Sequence, residues 1–276
     1  MSEEVLPAAA AALERGEPAA LVTIVRSSGS TPQRTGAKML VYADGRTIGT
    51  IGGGCYENDA LGKAREAIAT GKPALVKYDL NDDFVQESGL ICGGQMEVYI
   101  DPIAPAPALY VIGAGHVGWH LARVAADAGF RIHVVDDREK FANAERFPTA
   151  ETIMVDDVGG WLHRADLPAT AYVVVVTRGH THDFEAVRAL AARDLRYLGL
   201  IGSRAKVARI FDALEAEGMP KECLARVNAP IGLDIGAITP AEIAISILAE
   251  LIAVRHGKDV SAVSMKWRRE QKPARS

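Results

Sequence analysis

At 276 residues the chain is long enough for about two domains of roughly 150 residues each. Its 49% apolar and 24% charged residues exclude wholesale disorder, a collagen-like repeat and a coiled coil. With 31 Lys and Arg against 35 Asp and Glu, a formal charge of −4, no global basic field is present to hold a nucleic-acid backbone. Three cysteines, an odd number, do not make a disulfide framework in a chain of this length. Met1, Ser2, Glu3 and Glu4 lack the basic-then-apolar pattern of a secretory leader. The longest apolar run, 243–254, is too short to span a bilayer and contains Glu250. Together these features predict a cytoplasmic protein with reduced thiols, and neither a nucleic-acid nor a membrane partner.

In chain order, a helix is expected over 3–15 and a strand over 19–26. A turn-rich stretch then runs to Thr31 and Pro32. Strands over 38–42 and 47–50 flank Asp44 and Gly45, which is the pattern of a hairpin. After Gly52-Gly53-Gly54-Cys55 a helical pattern runs from about 57 to 69. Strands over 74–78 and 96–100 bracket a loop with Cys92-Gly93-Gly94. Pro102, Pro105 and Pro107 forbid a helix and favour an extended linker. The rhythm then changes to strand–helix alternation, with strands over 109–112, 131–135, 152–155, 172–176 and 197–200. That alternation argues for a parallel sheet covered on both faces. A last helix opens at Thr239-Pro240-Ala241-Glu242, a capping box with Pro at the first position, and runs to Gly257. Its wide apolar face is suited either to burial across the sheet or to pairing with a second subunit. The expected fold class is α/β, a C-terminal Rossmann-like parallel sheet preceded by a smaller N-terminal α+β domain. Its parts would be 1–103, a linker at 104–107, the Rossmann-like domain at 108–257 and a basic tail at 258–276.

Leu109-Tyr110-Val111-Ile112 runs into Gly113-Ala114-Gly115-His116-Val117-Gly118 and an apolar helix. A second strand then ends in Asp136, 18 residues after Gly118. This spacing fits a dinucleotide fingerprint. Gly113 makes the tight turn, Gly115 allows pyrophosphate approach, and Gly118 lets helix and strand pack closely. The phosphate would sit on the helix N-terminus. Asp136 as the ribose acid favours NAD over NADP, a preference that neighbouring Arg138 weakens. A Rossmann scaffold that binds no dinucleotide is the plain alternative.

Gly52-Gly53-Gly54 allows close backbone approach and an anion-binding nest, and Cys55 stands at a helix start, a setting that favours the thiolate. A thiolate beside such a nest suits a nucleophile or a soft-metal ligand. Cys92 repeats the idea in weaker form, whereas Cys223 has no such context. The plain alternative is a pair of small buried cysteines beside turn glycines. His180-Thr181-His182-Asp183 follows a strand at the end where open α/β sheets place ligands. His182 could bind metal, act as acid or base, or contact phosphate; a helix start with Asp183 as N-cap explains the string equally well. Ser203 and Arg204, with Lys206, occupy the next such junction and could meet an anion.

Several strings recur together: Val25-Arg26-Ser27-Ser28-Gly29-Ser30-Thr31-Pro32, Gly36-Ala37-Lys38-Met39-Leu40-Val41, Gly52-Gly53-Gly54-Cys55-Tyr56-Glu57 and Cys92-Gly93-Gly94. Beyond the linker come the 113–118 turn, Val135-Asp136-Asp137-Arg138, Thr177-Arg178-Gly179-His180-Thr181-His182-Asp183, Gly199-Leu200-Ile201-Gly202-Ser203-Arg204 and Pro230-Ile231-Gly232-Leu233-Asp234-Ile235-Gly236. As a set they resemble the XdhC/CoxI family of molybdoenzyme maturation proteins, from about residue 19 to 257. Tyr56 stands where that family more often has an aliphatic residue.

The resemblance implies a chaperone that transiently binds the molybdenum cofactor (molybdopterin) and holds it while a cysteine desulfurase installs its terminal sulfido ligand. It then delivers the cofactor to an apo-molybdenum hydroxylase of the xanthine dehydrogenase type. It also implies that Cys55, after the glycine run, is the cofactor-binding and metal-facing residue, with no independent turnover; a homodimer is expected from the wide apolar face of the last helix. The remaining cofactor contacts expected are Gly52, Gly53, Gly54, Cys92, Gly113, Gly115, His116, Gly118, Asp136, His180, His182, Asp183, Ser203 and Arg204. The alternative is an NAD-dependent oxidoreductase, with NAD(P) bound at the second domain, Cys55 as redox cysteine and His116 or His182 as acid–base residue. A metal-dependent hydrolase on His180, His182 and Asp183 is a third reading, without an evident third or fourth ligand.

Overall fold

In the computed structural model of the protein, which describes residues 2–80, 94–259 and 261–266, the chain divides into two units, Met1–Ala106 and Pro107–Ser276. The first unit contains α1 (Ser2–Glu14), β1 (Ala19–Gly29), β2 (Lys38–Tyr42), β3 (Thr47–Gly49), α2 (Gly54–Thr70), β4 (Ala74–Asp79) and β5 (Gly94–Ile103). Its strands form an antiparallel sheet in the order β3-β2-β1-β5-β4. Alternation decides the faces. Ala20, Val22 and Ile24 of β1, with Met39, Val41, Val98 and Ile100, turn toward α2, whose buried residues are Ala60, Ala64 and Ala67, with Tyr56, Leu61 and Ile68 packed around them. Small helix residues let α2 lie close on the sheet. The alternate residues Ala19, Leu40 and Tyr42 meet Val5, Ala9 and Ala12 of α1 on the other face. Each large apolar side chain so buried is worth about 1.5–3 kcal/mol. The expected hairpin closes on Gly45, where Tyr42 and Arg46 pair and the Asp44 carboxylate caps the Arg46 amide.

The strand β5 runs on through Pro102, farther than its apolar core at 96–100 predicts. Its partner β4 stops at the Ala74–Ile100 pair, whereas β1 continues to Pro102 and Ile103. From Pro102 on, β5 has a neighbour on one side alone, and there a missing N–H is tolerated.

In the second unit the elements alternate: β6 (Ala108–Ile112), α3 (His116–Asp127), β7 (Arg131–Asp136), β8 (Ala150–Val155), α4 (Val158–Arg164), β9 (Tyr172–Val175), α5 (His180–Leu190), β10 (Tyr197–Leu200), α6 (Arg204–Ala216), α7 (Lys221–Arg226) and α8 (Pro240–Arg255). The strands form a parallel sheet in the order β10-β9-β6-β7-β8. Helices α3 and α8 cover one face through Leu121, Ala125, Ile247 and Leu251. Helices α4, α5 and α6 cover the other through Trp161, Leu162, Val187, Leu190 and Ile210. Burial on both faces explains why β9 and β10 are apolar or small throughout. The chain leaves β6 toward β7 and β8, then returns to add β9 on the other side of β6. The carboxyl ends of β6 and β9 are therefore the switch point where such sheets take ligands.

The capping box at the start of α8 forms as expected, Thr239 and Glu242 exchanging side-chain and backbone bonds. Its inner face carries Glu250, buried to 2% exposure. That carboxylate accepts from Tyr197 Oη, from Gly232 N at 2.9 Å and from Ser264 Oγ at 2.6 Å. Tyr197 is in turn held far above its ordinary pKa by burial and by Glu250. On the outer face Ile245 and Ile252 remain exposed. Among the described residues no helix is long and apolar enough to cross a membrane.

Candidate functional site

The first unit reverses direction between β3 and α2 on Gly52, Gly53 and Gly54, whose φ values of 131°, 74° and 74° lie where a Cβ is costly. Gly53 is the N-cap of α2, so the helix starts at Gly54 rather than near 57. Cys55, a free and exposed thiol, thus stands in its first turn. Tyr56 turns its ring onto the core, edge-on to Tyr78 at 5.5 Å. Cys92 lies outside the described residues, and Cys223 packs half-buried against the core of the second unit.

Part of the expected phosphate nest of Gly52–Gly54 is engaged by the chain itself. Glu57 Oε2 accepts from Ile51 N at 3.0 Å, Gly53 N at 3.1 Å and Thr50 Oγ1 at 2.5 Å. Gly52 N donates to Thr50 Oγ1 at 3.0 Å. Burial acts to raise the Glu57 pKa, but the bonds from Thr50 and from the Gly53, Ile51 and Gly52 amides outweigh it and hold the carboxyl below its ordinary value. A phosphate entering the same cradle would meet this charge. Glu57 thus braces the loop that leads into Cys55.

At the switch point of the second unit, β6 is followed directly by Gly113 with φ 114°. A Cβ there would lie 2.5 Å from Val176 O, just past β9, and a Cβ on Gly118 would strike Gly113 O. Gly115 faces open space, and exposed His116 begins α3. Unpaired N–H groups of the first helical turn make that mouth attractive to an anion.

Asp136 ends β7 beside this turn, but its carboxylate is engaged. Oδ2 accepts from Ala114 N at 2.7 Å and Arg138 Nη2 at 2.9 Å, and Oδ1 from Arg138 N at 3.0 Å and Arg138 Nε at 2.8 Å. Burial alone would raise its pKa; the Arg138 guanidinium and the two amides hold it below the ordinary carboxylate value. A ribose hydroxyl reaching Asp136 has to compete with Arg138. Arg178 pairs with Asp137 at 2.6 Å, and Arg146 Nη1 donates to Ala114 O at 3.0 Å. Three arginines thus border the turn.

Asp183 is neither an N-cap nor a free ligand. Gly179 caps α5, and Asp183, fully buried, accepts from Thr177 Oγ1 at 2.7 Å and forms an ion pair with Lys206. This pair commits Lys206 as well, and it takes Asp183 out of the metal-ligand set that a hydrolase reading needs. His180 is the first residue of α5. His182 is half-buried, with Nδ1 3.8 Å from Glu185 Oε2. Ser203 Oγ caps α6 by accepting from Lys206 N at 3.2 Å, and Arg204 is exposed beside it. Among the described residues no group of three or more His, Cys, Asp or Glu is placed to hold a metal ion.

Sequence reasoning missed Glu57, although a Glu shortly after a helix start is a known sign of a carboxylate reaching back to loop amides. It also missed Arg146 and the Asp183–Lys206 pair, for which no local signal exists.

Residues 109–251 match the family described as XdhC Rossmann domain, and residues 12–79 the XdhC and CoxI family. Uncharacterized protein YqeB of Escherichia coli (strain K12) is 38% identical over 244 residues, 88% of this chain and 44% of YqeB, so the chain spans under half of that relative. A probable xanthine dehydrogenase subunit of Bacillus subtilis (strain 168) is 26% identical over 89% of this chain and 96% of its own. The molybdenum cofactor insertion chaperone PaoD of Escherichia coli (strain K12) is 28% identical over 91% of this chain and 88% of its own. Among solved structures, a xanthine dehydrogenase from Bacillus halodurans aligns with a TM-score of 0.52 at 23% identity, over 95% of this chain and 98% of that one, which shows a shared fold.

Proposed function

The chain belongs to the XdhC and CoxI family, and from that premise we propose that it is an accessory protein of xanthine dehydrogenase-type molybdenum hydroxylases. In this reading it binds the molybdenum cofactor transiently as cargo, holds it for sulfuration by a cysteine desulfurase, and passes it to the apo-hydroxylase. Support for the cargo comes from the relative named as a molybdenum cofactor insertion chaperone, and for the client class from the relative named as a xanthine dehydrogenase subunit. The observation that carries the reading is Cys55: a free, exposed sulfur on a loop fixed by its own acid. A soft sulfur donor suits a sulfur-rich molybdenum centre. The chain's own residues then bind and orient; the sulfur chemistry belongs to the desulfurase. The proposal includes a homodimer that pairs through the outer face of α8, where Ile245 and Ile252 are uncovered.

The test is purification of the intact protein from molybdenum-sufficient cells, with molybdenum and pterin quantified per chain. Cys55→Ala should lose nearly all of both. Its stability should fall by no more than about 1 kcal/mol, since an exposed side chain has little packing to lose. Normal cofactor content in that variant would overturn the assignment of Cys55.

A second reading, an NAD-dependent oxidoreductase, draws on the open Gly115 and the start of α3 at the switch point. Bound NAD with steady turnover and no pterin would favour it over the accessory role.

A further inference from the structure

The cradle formed by the glycine loop is occupied, yet the space next to it is not committed. The turn from Thr31 to Lys38 and the side of Thr50 enclose a cleft of about 570 Å³. It adjoins the loop that carries Cys55 at two points. Thr50 lines the cleft and also donates to Glu57, and Gly52 backs so closely onto Pro32 that a Cβ on Gly52 would lie 2.7 Å from the proline ring. The turn itself is ordered: Ala37 N donates to Arg34 O, Gly36 N to Ile24 O, and Thr35 N to Ser27 Oγ.

Two cations line this cleft, Arg34 and Lys38. Several other basic side chains of the first unit meet acids, as Arg46 meets Asp44, Lys63 meets Asp59 and Lys77 meets Glu97. Among the described residues neither Arg34 nor Lys38 meets a carboxylate; the ammonium of Lys38 has the Gly36 carbonyl at 3.4 Å. The hydroxyls nearby are engaged, Thr31 with Gln33 O, Thr35 with Ser27 and Thr50 with Glu57. The cations are thus what the cleft offers to a ligand. Glu57 occupies the neighbouring Ile51 and Gly53 amides, which leaves the two cations as the groups offered to an anion on this side of the loop. A guanidinium and an ammonium lining one cleft are the groups that receive a phosphate.

We propose that Arg34 and Lys38 form the phosphate subsite for the organic phosphate that Cys55 holds by its other end, so that the anion is bound by the cleft and not by the glycine amides. This rests on the cofactor-carrying role of Cys55 for the identity of the ligand, though not for the existence of the anion site.

Inorganic phosphate is the probe, titrated into the intact protein by calorimetry and by phosphorus NMR. Arg34→Gln/Lys38→Met should weaken its binding at least about tenfold, the loss expected when a charge-assisted pair is removed. Lys77→Gln, which removes an exposed cation from the same unit, should leave it unchanged. Both altered side chains lie at the surface or half-exposed, and a second variant, Arg34→Glu, reverses charge without touching β2. Phosphate affinity unchanged in both variants, or no phosphate binding by the unaltered protein, overturns the subsite. Pterin content measured alongside separates the two claims. If phosphate binding falls in the variants while no protein sample carries pterin, the subsite stands and the cofactor role fails. Full pterin retention by the double variant overturns the subsite as the cofactor's anchor and leaves the role of Cys55 intact.

Discussion

Glu57 and Asp136 do the same thing in the two units: each fills, with a carboxylate of the chain itself, a position where the sequence suggests a ligand. Glu57 takes the loop amides and Asp136 takes the Ala114 amide. Both are held ionised below the ordinary range, so neither vacates its place near neutral pH. The exposed position of Cys55 at a helix start was legible because its signal is local, three glycines and a thiol before a helical pattern. The commitments of Glu57, Arg138 and Lys206 were not, because a motif names residue types and leaves open whether the partner is a ligand or the protein. His133 shows how such a group sets pH dependence. It lies buried in β7, stacked on Tyr110 at 4.6 Å with Nδ1 2.8 Å from Thr152 Oγ1, and burial lowers its pKa. The unfolded chain therefore takes up this proton first as pH falls below about 6.5, so stability is full above that value and declines toward the lower folded pKa. Melting temperature should drop between pH 7 and pH 5 less steeply in His133→Gln than in the unaltered protein. Parallel curves would show that this imidazole is not linked to folding.

At the scale of elements, the turn from β6 into α3 is the part best specified by sequence, since strand, glycine spacing and helix are contiguous. The start of α2 and the end of β5 were misjudged by a few residues. In the first case a glycine N-cap leaves no side-chain signal; in the second, the sheet stops on one side of a proline and not on the other. The Asp136–Arg138 fork makes the turn testable. Arg138→Ala releases both carboxylate oxygens from the guanidinium and should tighten NAD binding about tenfold, or by about 1.4 kcal/mol, if a ribose competes there. Equal affinity would show that no ribose reaches Asp136. Asp136→Ala, by contrast, strands the Ala114 amide and a half-buried guanidinium and should cost about 2–3 kcal/mol in denaturant unfolding. Retained stability would mean that the fork is dispensable to the turn.

At the scale of the whole molecule, the parallel sheet was readable from alternation, but the return of β9 to the far side of β6 was not. Strand order depends on which faces pack, and periodicity carries no record of that. The same limit applies to α8. Its wide apolar face suggested burial or pairing, and one helix here does the first while leaving Ile245 and Ile252, two turns apart, available for the second. Ile245→Asp should convert the proposed dimer to a monomer in sedimentation velocity while the melting temperature stays close to that of the unaltered chain. A species of unchanged mass would place the pairing elsewhere.

A loop closed by its own acid has a consequence for timing. Ordering a residue costs about 1–2 kcal/mol, and Glu57 ties down Thr50, Ile51 and Gly53 without any ligand. In the proposed role, capture of cargo at Cys55 need not wait for the loop to form, and little of the contact energy goes into shaping it. In the same reading release needs no refolding of the loop, and the carrier that lets go is ready for another round. For a protein proposed to hand over what it holds, that favours quick exchange over tight storage.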